Sequence, residues 1–142
     1  YQGRNLVWCY NKWWGSGDGG KIGYLSPSTS YQNGVDVYHE FTTQIIYNEG
    51  AGAIFHDLEL IALPGRVNIY NDPMVWTSYS IDGETWSHER GIKCGKMGDR
   101  TKRLLWLQQG SMRKWRIQKF RWQSDAHLSV ARLEARLEPL YE

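Results

Sequence analysis

The amino-acid sequence predicts an all-β protein, either a β-sandwich-like domain or part of a barrel or propeller. Strand-length runs that alternate apolar and polar residues recur along the chain. Clusters of Gly, Asn, Asp and Pro separate these runs, and little of the chain has a convincing helical period. A composition of 41% hydrophobic and 14% aromatic residues, with eight Trp and nine Tyr in 142 residues, indicates one packed core and a folded chain.

The N-terminal part predicts two short strands, at residues 6–10 and 21–25. Between them, residues 15–20 are rich in Gly but have no Gly-Lys-Ser or Gly-Lys-Thr ending and no helical pattern after them. This segment is therefore interpreted as a surface loop and not as a phosphate-binding loop. Trp13 and Trp14, which precede the loop, are expected to pack in a core; if exposed, they would indicate an interface or a sugar contact.

Two longer strands are predicted next, at residues 35–47 and 53–63, each with one apolar face. The predicted core face of the second strand carries Ile54, His56, Leu58, Leu60 and Ala62. His56 lies on this face and His39 on the apolar face of residues 35–47, so both are expected to be core histidines.

Residues 74–122 form the centre of the predicted fold. A strand at residues 74–81 leads to Asp82-Gly83, a strong signal for a two-residue hairpin turn, and the return strand is expected to begin at Thr85-Trp86. Further strands are predicted at residues 101–108 and 112–122. Residues 128–140 fit a helix through Leu133 and Leu137, but their alternation of apolar and charged residues fits a strand equally well.

The turn has a recognisable motif. Ser80-x-Asp82-Gly83-x-Thr85-Trp86 resembles the Asp-box of sialidases and other β-propellers, although it is one residue shorter. In such a turn the Asp carboxylate accepts hydrogen bonds from turn amides, and the Trp packs beneath the turn. The motif therefore predicts a structural turn made by Ser80, Asp82, Gly83 and Trp86, which Asp82→Ala or Gly83→Val is expected to destabilise.

No catalytic residue, cofactor or metal site is predicted. Glycoside hydrolysis requires two carboxylates that flank a sugar, and the candidates are Asp57, Glu59, Asp82 and Glu84. Carboxylates at alternate positions on the solvent face of a strand are ordinary, so no catalytic pair is predicted. The four His residues lack metal-ligand spacing, and Cys9 and Cys94 are expected to be free, buried thiols in a reducing compartment. No apolar run approaches the roughly 20 residues that span a bilayer, so no membrane contact is expected.

Charge is divided unevenly along the chain. Residues 90–121 contain eleven basic residues and one acidic residue, a net charge of +10, whereas the whole chain carries +2 and the remaining residues together carry −8. Such a basic run, with Trp and Phe interleaved, is typical of a nucleic-acid surface or of an interface with an acidic protein, and a solvated charged face is the third interpretation. The candidate interface or DNA-facing residues are Arg100, Arg103, Arg113, Arg116 and Arg121.

The chain begins with Tyr1 and not with Met, which suggests a fragment of a longer protein, cut at a domain edge. We expect residues 1–34 to be the edge of a preceding propeller-like part and residues 35–142 to form a C-terminal β domain.

From residue 35 to 140 the order of these features is similar to the C-terminal region of the packaged DNA stabilisation protein, or tail hub accessory factor, of P22-like short-tailed bacteriophages. The resemblance depends on a series: Phe41 to Tyr47, Leu58-Glu59-Leu60, Pro64-Gly65, the Ser80 to Ser87 turn, Arg100, Arg103, Trp106, and Arg116 to Arg121.

The resemblance implies a virion protein without enzymatic activity, made in the host bacterial cytoplasm. It implies a homo-hexameric ring that closes the portal channel and retains packaged DNA. The implied partners are the portal adaptor, the tail needle and the tailspikes, with possible contact to DNA. It also implies that the last segment is a strand. The alternatives from the residues are a carbohydrate-binding or sialidase-like β module and a single-stranded nucleic-acid binder.

Overall fold

A computed structural model of the chain describes residues 4–32, 34–68 and 71–141. The described residues form β-strands, turns and two single turns of 3₁₀-helix, which confirms the predicted all-β class. The chain separates into two compact units, Tyr1–Val37 and Tyr38–Glu142. Over the described residues, no helix has the length and apolar character to cross a membrane.

The first unit contains a three-stranded antiparallel sheet and a small hairpin. The sheet has the order β1-β2-β3, and the hairpin pairs β4 with β5. Tyr10 and Asn11, with φ of 50° and 57°, join β1 to β2 as the two central residues of a primed turn. The strands are β1 (Arg4–Cys9), β2 (Lys12–Ser16), β3 (Ile22–Tyr24), β4 (Tyr31–Gln32) and β5 (Val35–Asp36).

Two expectations for this unit are wrong. Trp13 is 47% exposed and packs against Trp8 at a centroid distance of 5.4 Å, and Cys9 is exposed as well. A single three-stranded sheet has two faces, and the described residues of this unit contain no second sheet of comparable size to bury them.

The second unit consists of two antiparallel sheets. The first sheet has the order β10-β9-β13-β6, with β7 also on β13; in the second, the long β8 pairs with β11 and β12 along one edge and with β14 along the other. The strands are β6 (Tyr38–Thr42), β7 (Ile46–Tyr47), β8 (Ala53–Leu63), β9 (Met74–Ser80), β10 (Arg90–Lys93), β11 (Leu104–Leu107), β12 (Ser111–Met112), β13 (Trp115–Gln123) and β14 (Ser129–Pro139).

The hydrophobic core lies between these two sheets. Phe120 of β13 is fully buried and contacts Trp106 of β11, with ring centroids 5.5 Å apart, so aromatic packing joins the layers. The Trp106 indole N–H also donates to the carbonyl of Arg90 at 2.9 Å. The rest of this cluster is apolar and buried: Leu60, Val75, Cys94, Leu104, Trp122 and Ala126.

The prediction of which β8 residues face the core is correct for only half of the strand. Leu58 and Leu60 are buried as expected, but nearer the start of the strand Ala53 and Phe55 are buried while His56 is exposed. The register with β14 shifts at this point, so His56 is an extra residue and the alternation changes phase. His56 and His39 both lie at the surface, and the expectation of core histidines is wrong for both.

The predicted return strand begins later than expected. β10 starts at Arg90, opposite Thr77, and residues 81–89 form the connection from β9. The Ser87 N–H donates to the Tyr79 carbonyl at 2.8 Å, so the connection continues beside β9 for part of its length. Asp82-Gly83 therefore lies within a long loop and does not close a two-residue hairpin.

Residues 129–139 form a strand, which resolves the ambiguity that periodicity left and agrees with the implication of the family resemblance. β14 pairs with β8 from Ser129 opposite Leu63 to Pro139 opposite Ala53. Leu133 is half-buried and packs against the core, whereas the other residues of β14 are exposed.

Candidate interaction surface

The structure divides the basic run into paired, buried and exposed groups. In the paired group, Lys93 contacts Asp72 at 2.8 Å, and the Arg103 guanidinium makes two hydrogen bonds to Glu59, at 2.8 and 2.6 Å. Hydrogen bonding to these cations lowers the pKa of both carboxyls. The positive charge of Lys93 and Arg103 is thus largely compensated within the chain.

Arg121 is also engaged. Its guanidinium makes two hydrogen bonds to Glu89, at 3.0 and 2.8 Å, and lies 4.7 Å from the Tyr38 ring centre and 4.6 Å from that of Trp76. Hydrogen bonding to the Glu89 carboxylate raises the pKa of Arg121 above its ordinary value. Arg121 therefore acts as part of a packed surface cluster.

Lys119 covers another aromatic ring, because its ammonium lies 4.2 Å from the centre of Trp86. Cations thus occupy positions over Trp76 and Trp86 on the outer face of the first sheet. These contacts reduce the aromatic surface that could stack on a sugar or a nucleic-acid base.

Arg116 requires a correction, because it was expected to face a partner or DNA. It lies on the inward face of β13 and is 0% exposed. Its guanidinium packs 4.3 Å from the Phe55 ring centre and 3.9 Å from that of Tyr79. Its Nε donates to Gln118 Oε1 at 3.0 Å, and one Nη donates to the Gln109 carbonyl at 2.6 Å. A residue packed in this way is a core residue of the unit.

The burial of Arg116 has an electrostatic consequence. Among the described residues no carboxylate pairs with it, and its second Nη has no hydrogen-bond partner. Burial lowers the pKa of Arg116 to about 10, opposed by the nearby Tyr79. The cation is therefore retained at neutral pH by two directed hydrogen bonds and two aromatic rings.

A cleft of about 320 Å³ opens beside this buried group, where β10 no longer covers the edge of β9. Gln109, Gln118 and Tyr79, which contact Arg116, also line the cleft, together with Ser87, His88 and Arg90 among others. Its lining contains no Asp or Glu, so it lacks the carboxylate pair of a glycoside hydrolase.

The exposed group comes from two loops. Residues 94–103, here called the basic loop, present Lys96, Arg100 and Lys102, and the connection from β12 to β13 presents Arg113 and Lys114. These five side chains are exposed, and within residues 4–32, 34–68 and 71–141 none of them makes an ion pair. With Arg90, which is also exposed and donates to the Gln108 carbonyl at 2.8 Å, they are the exposed cations of the basic run that no described carboxylate compensates.

The basic loop is held in a defined conformation. The Asp99 carboxylate accepts from the Lys96 N–H at 3.0 Å, and the Gly98 N–H donates to the Gly65 carbonyl at 3.1 Å. Gly65 has φ of 80°, and a Cβ there would lie 2.9 Å from the Asp99 backbone. Close backbone packing therefore positions the basic loop against the segment that follows β8.

The Asp-box-like turn has dense hydrogen bonding. Asp82 accepts from the N–H groups of Glu84 and Thr85 at 2.9 and 2.8 Å, and also from the hydroxyls of Thr85 and Ser80. Ser80 is buried and accepts from the Gly83 N–H at 2.8 Å, and Gly83 has φ of 81°. These bonds, the Thr85 hydroxyl first, lower the pKa of Asp82 strongly. Trp86 is half-buried after the turn, beneath Lys119.

The described residues contain no cluster of His, Cys, Asp or Glu that could hold a metal ion. Asp57 and Glu59, the strand carboxylates considered for catalysis, form ion pairs with Arg136 and Arg103. Burial raises the pKa of the Cys94 thiol to about 11, so this thiol is protonated at neutral pH and is a poor nucleophile.

Sequence reasoning selected arginines only and so omitted three exposed residues, Lys96, Lys102 and Lys114. The position of Lys96 between Gly95 and Gly98 was a signal of exposure, whereas Lys102 and Lys114 fell within the strands predicted at residues 101–108 and 112–122. For Arg116, the alternation of β13 was the available signal: Phe120 and Trp122 were expected on one face, and Arg116 shares their parity.

The chain was compared with models of known protein families and with curated proteins. Residues 38–138 match the model of the family described as "Bacteriophage P22 Gp10, beta-sandwich", and no curated protein matches the chain. Gp10 is the DNA-stabilisation and tail hub protein of phage P22, and the family is one of phage structural proteins found in the virion tail. Because the match spans more than half of the chain and the two packed sheets agree with it, this chain belongs to the P22 Gp10 C-terminal β-sandwich family of phage tail hub proteins.

Proposed function

We propose that the chain is an attachment module of a short-tailed phage tail hub, and that its exposed basic residues bind acidic surfaces of neighbouring tail proteins. The observation that carries this proposal is the set of five exposed basic side chains, Lys96, Arg100, Lys102, Arg113 and Lys114, which form no ion pair within the described part of the chain. Unpaired surface charges of one sign steer a partner of the opposite sign.

A protein partner is favoured over packaged DNA. Much of the +10 charge of residues 90–121 is buried in Arg116 or paired in Lys93, Arg103 and Arg121. Trp76 and Trp86, which could stack on unpaired bases, are covered by Arg121 and Lys119. The strand register places the basic loop beyond the Leu60 end of β8, and Arg113 and Lys114 beyond its Ala53 end. Two separate basic patches suit contacts with proteins better than a continuous groove that follows phosphates.

In this proposal six copies form a ring beneath the portal adaptor. The ring closes the DNA channel with the tail needle, carries the tailspikes and retains the packaged genome. The sandwich lies within its C-terminal domain, which begins at residue 35, and the residues before that domain are the edge of a preceding propeller-like part. The protein is made in the host bacterial cytoplasm and acts in the virion tail, without a cofactor.

A chimera tests this function. Residues 38–138 would replace the matching segment of P22 Gp10, and the chimera would be added to particles assembled without Gp10. The proposal expects the particles to retain nuclease-protected DNA.

Arg100→Glu/Arg113→Glu in the chimera should reduce retention, whereas Arg103→Gln should not, since Arg103 is already bound to Glu59. Circular dichroism would establish that each chimera is folded. A folded chimera that joins the particles but leaves the DNA unprotected would contradict the proposal.

A further inference from the structure

The outer edge of β14 is long and unpaired. β14 contains 11 residues, and only its inner edge is hydrogen-bonded, to β8. Within residues 4–32, 34–68 and 71–141, no strand pairs with its outer edge. Proteins usually shorten, bulge or cover such an edge, because its free N–H and C=O groups bind another strand.

Most of this edge is regular. From Arg132 to Pro139 each residue of β14 has its own partner on β8, because the extra residue at His56 belongs to β8 and the irregularity on β14 lies earlier, at Ala131. Leu133, Ala135 and Leu137 therefore lie on one face of the strand, and four charged residues lie on the other. Leu137 is 40% exposed, so the apolar face is not fully covered by the sandwich.

The sequence of this edge, Arg-Leu-Glu-Ala-Arg-Leu-Glu at residues 132–138, is complementary to itself when one copy is reversed. With Ala135 opposite Ala135 of an antiparallel second copy, Arg132 faces Glu138 and Glu134 faces Arg136. In the same register Leu133 faces Leu137. Every charged residue then has an opposite charge beside it, and every leucine has a leucine.

Other registers lose this match. A slip of one residue places charged residues opposite apolar residues and mixes the two faces. A slip of two places Arg136 opposite Arg136, or Glu134 opposite Glu134, and like charges directly opposite each other are destabilising.

We propose that two copies of this chain pair edge to edge through β14, antiparallel and centred on Ala135. The second sheets of the two copies then form one continuous sheet, and the two Leu133–Leu137 contacts cover apolar surface that is exposed in the single chain. The contact is isologous, so it joins two copies and stops.

The proposed pair does not depend on the tail hub function. A cyclic ring repeats a head-to-tail contact, whereas this contact has two-fold symmetry. The pair therefore belongs to the free chain, and it opens before six copies close the ring of the proposed function.

The charged residues of β14 are accessible for this contact. Arg136 pairs with Asp57 at 2.8 Å, and Arg132 pairs with Glu134 at 2.6 Å, yet the side chains of Arg132, Glu134 and Arg136 remain 70%, 47% and 70% exposed.

Sedimentation velocity with charge-swapped variants tests the pair. The chain itself should have twice the mass of one copy, E134R/E138R and R132E/R136E should each have the mass of one copy, and an equimolar mixture of the two variants should recover the double mass. Recovery in the mixture also establishes that each variant is folded at this strand. The proposal is overturned if the unmodified chain remains single at the highest soluble concentration, or if either variant still pairs with itself.

Disulfide trapping tests the register. In a C9S background, A135C should form a covalent pair on mild oxidation, because residue 135 faces itself across the two-fold axis. A131C is the matched control: it is an exposed alanine of the same strand, but in this register it lies far from its own copy. Equal cross-linking of the two variants would contradict the register.

Discussion

At the scale of single residues, Arg116 shows how alternation and charge give opposite predictions. Its parity on β13 places it with Phe120 and Trp122, whereas its charge suggested the surface. The core accepts it because Phe55 and Tyr79 cover the planar guanidinium and because Gln109 and Gln118 accept its hydrogen bonds. These partners come from three other parts of the chain or from β13 itself, so no local pattern could predict them.

Arg116→Lys should destabilise the protein by about 1–3 kcal/mol. The ammonium keeps the charge but cannot stack as a plane between Phe55 and Tyr79 or direct two donors to Gln118 and Gln109. Urea unfolding at pH 7 measures the change. Arg113→Lys is the matched control on the exposed surface, and an equal effect of both substitutions would show that packing around Arg116 is not the cause.

Asp82 should make stability depend on pH. Hydrogen bonds in the folded turn lower its pKa, so its contribution is fully present above the ordinary Asp value of about 3.9. The contribution is lost as the pH falls through the lower pKa of the folded state. Asp82→Asn should therefore lower the melting temperature at pH 7. The difference in melting temperature between this variant and the unmodified chain should become smaller in acid.

Thermal melts from pH 7 to pH 2 would measure this difference, with Glu84→Gln as the control. A difference that stays constant with pH would mean that the Asp82 carboxylate does not stabilise the turn.

At the scale of elements, the local sequence predicted most of the strands, but it did not predict the β-bulge in β8 or the turn between β1 and β2. The alternation in β13 and the strand character of β9 are visible in the sequence, since their residues alternate or are β-branched and aromatic. The bulge at His56 is not visible, because its register depends on β14, more than 70 residues later. The turn at Tyr10-Asn11 was missed because it adopts positive φ without a glycine.

The contact between the two sheets should depend on Trp106. Trp106→Phe removes the indole N–H that donates to the Arg90 carbonyl and reduces contact with Phe120. We expect a loss of about 1–3 kcal/mol in the free energy of unfolding. Trp13→Phe, in the first unit, is the control, and it should leave the unfolding of the sandwich unchanged. A negligible effect of Trp106→Phe would show that the indole hydrogen bond does not join the sheets.

At the scale of the whole molecule, composition and turn spacing were sufficient for the all-β class, and the order of weak motifs was sufficient for the family. The location of the available charge was not predictable. Arg100 and Arg113 are exposed as expected, but Arg103 and Arg121 are paired with acidic residues and Arg116 is buried. The ion pair between Arg103 and Glu59 forms because β11 pairs with β8 in the sheet. This strand pairing could not be predicted from the sequence.

The sandwich should fold without the first unit. Its sheets and its core clusters are formed entirely by residues after Val37. A chain of residues 38–142 should therefore show a single unfolding transition at the same temperature as the sandwich in the whole chain. Differential scanning calorimetry measures this, and loss of the cooperative transition would show that the sandwich requires the first unit.

The central claim is that this chain is a tail hub module, and co-migration on a sizing column tests it most directly. The chain would be mixed with purified portal adaptor ring, tail needle or tailspike of a P22-like phage, at low and moderate salt. We predict a stable complex with at least one of them, weakened by Arg100→Glu/Arg113→Glu. Elution of the folded chain separately from all three proteins, at both salt concentrations, would contradict the claim.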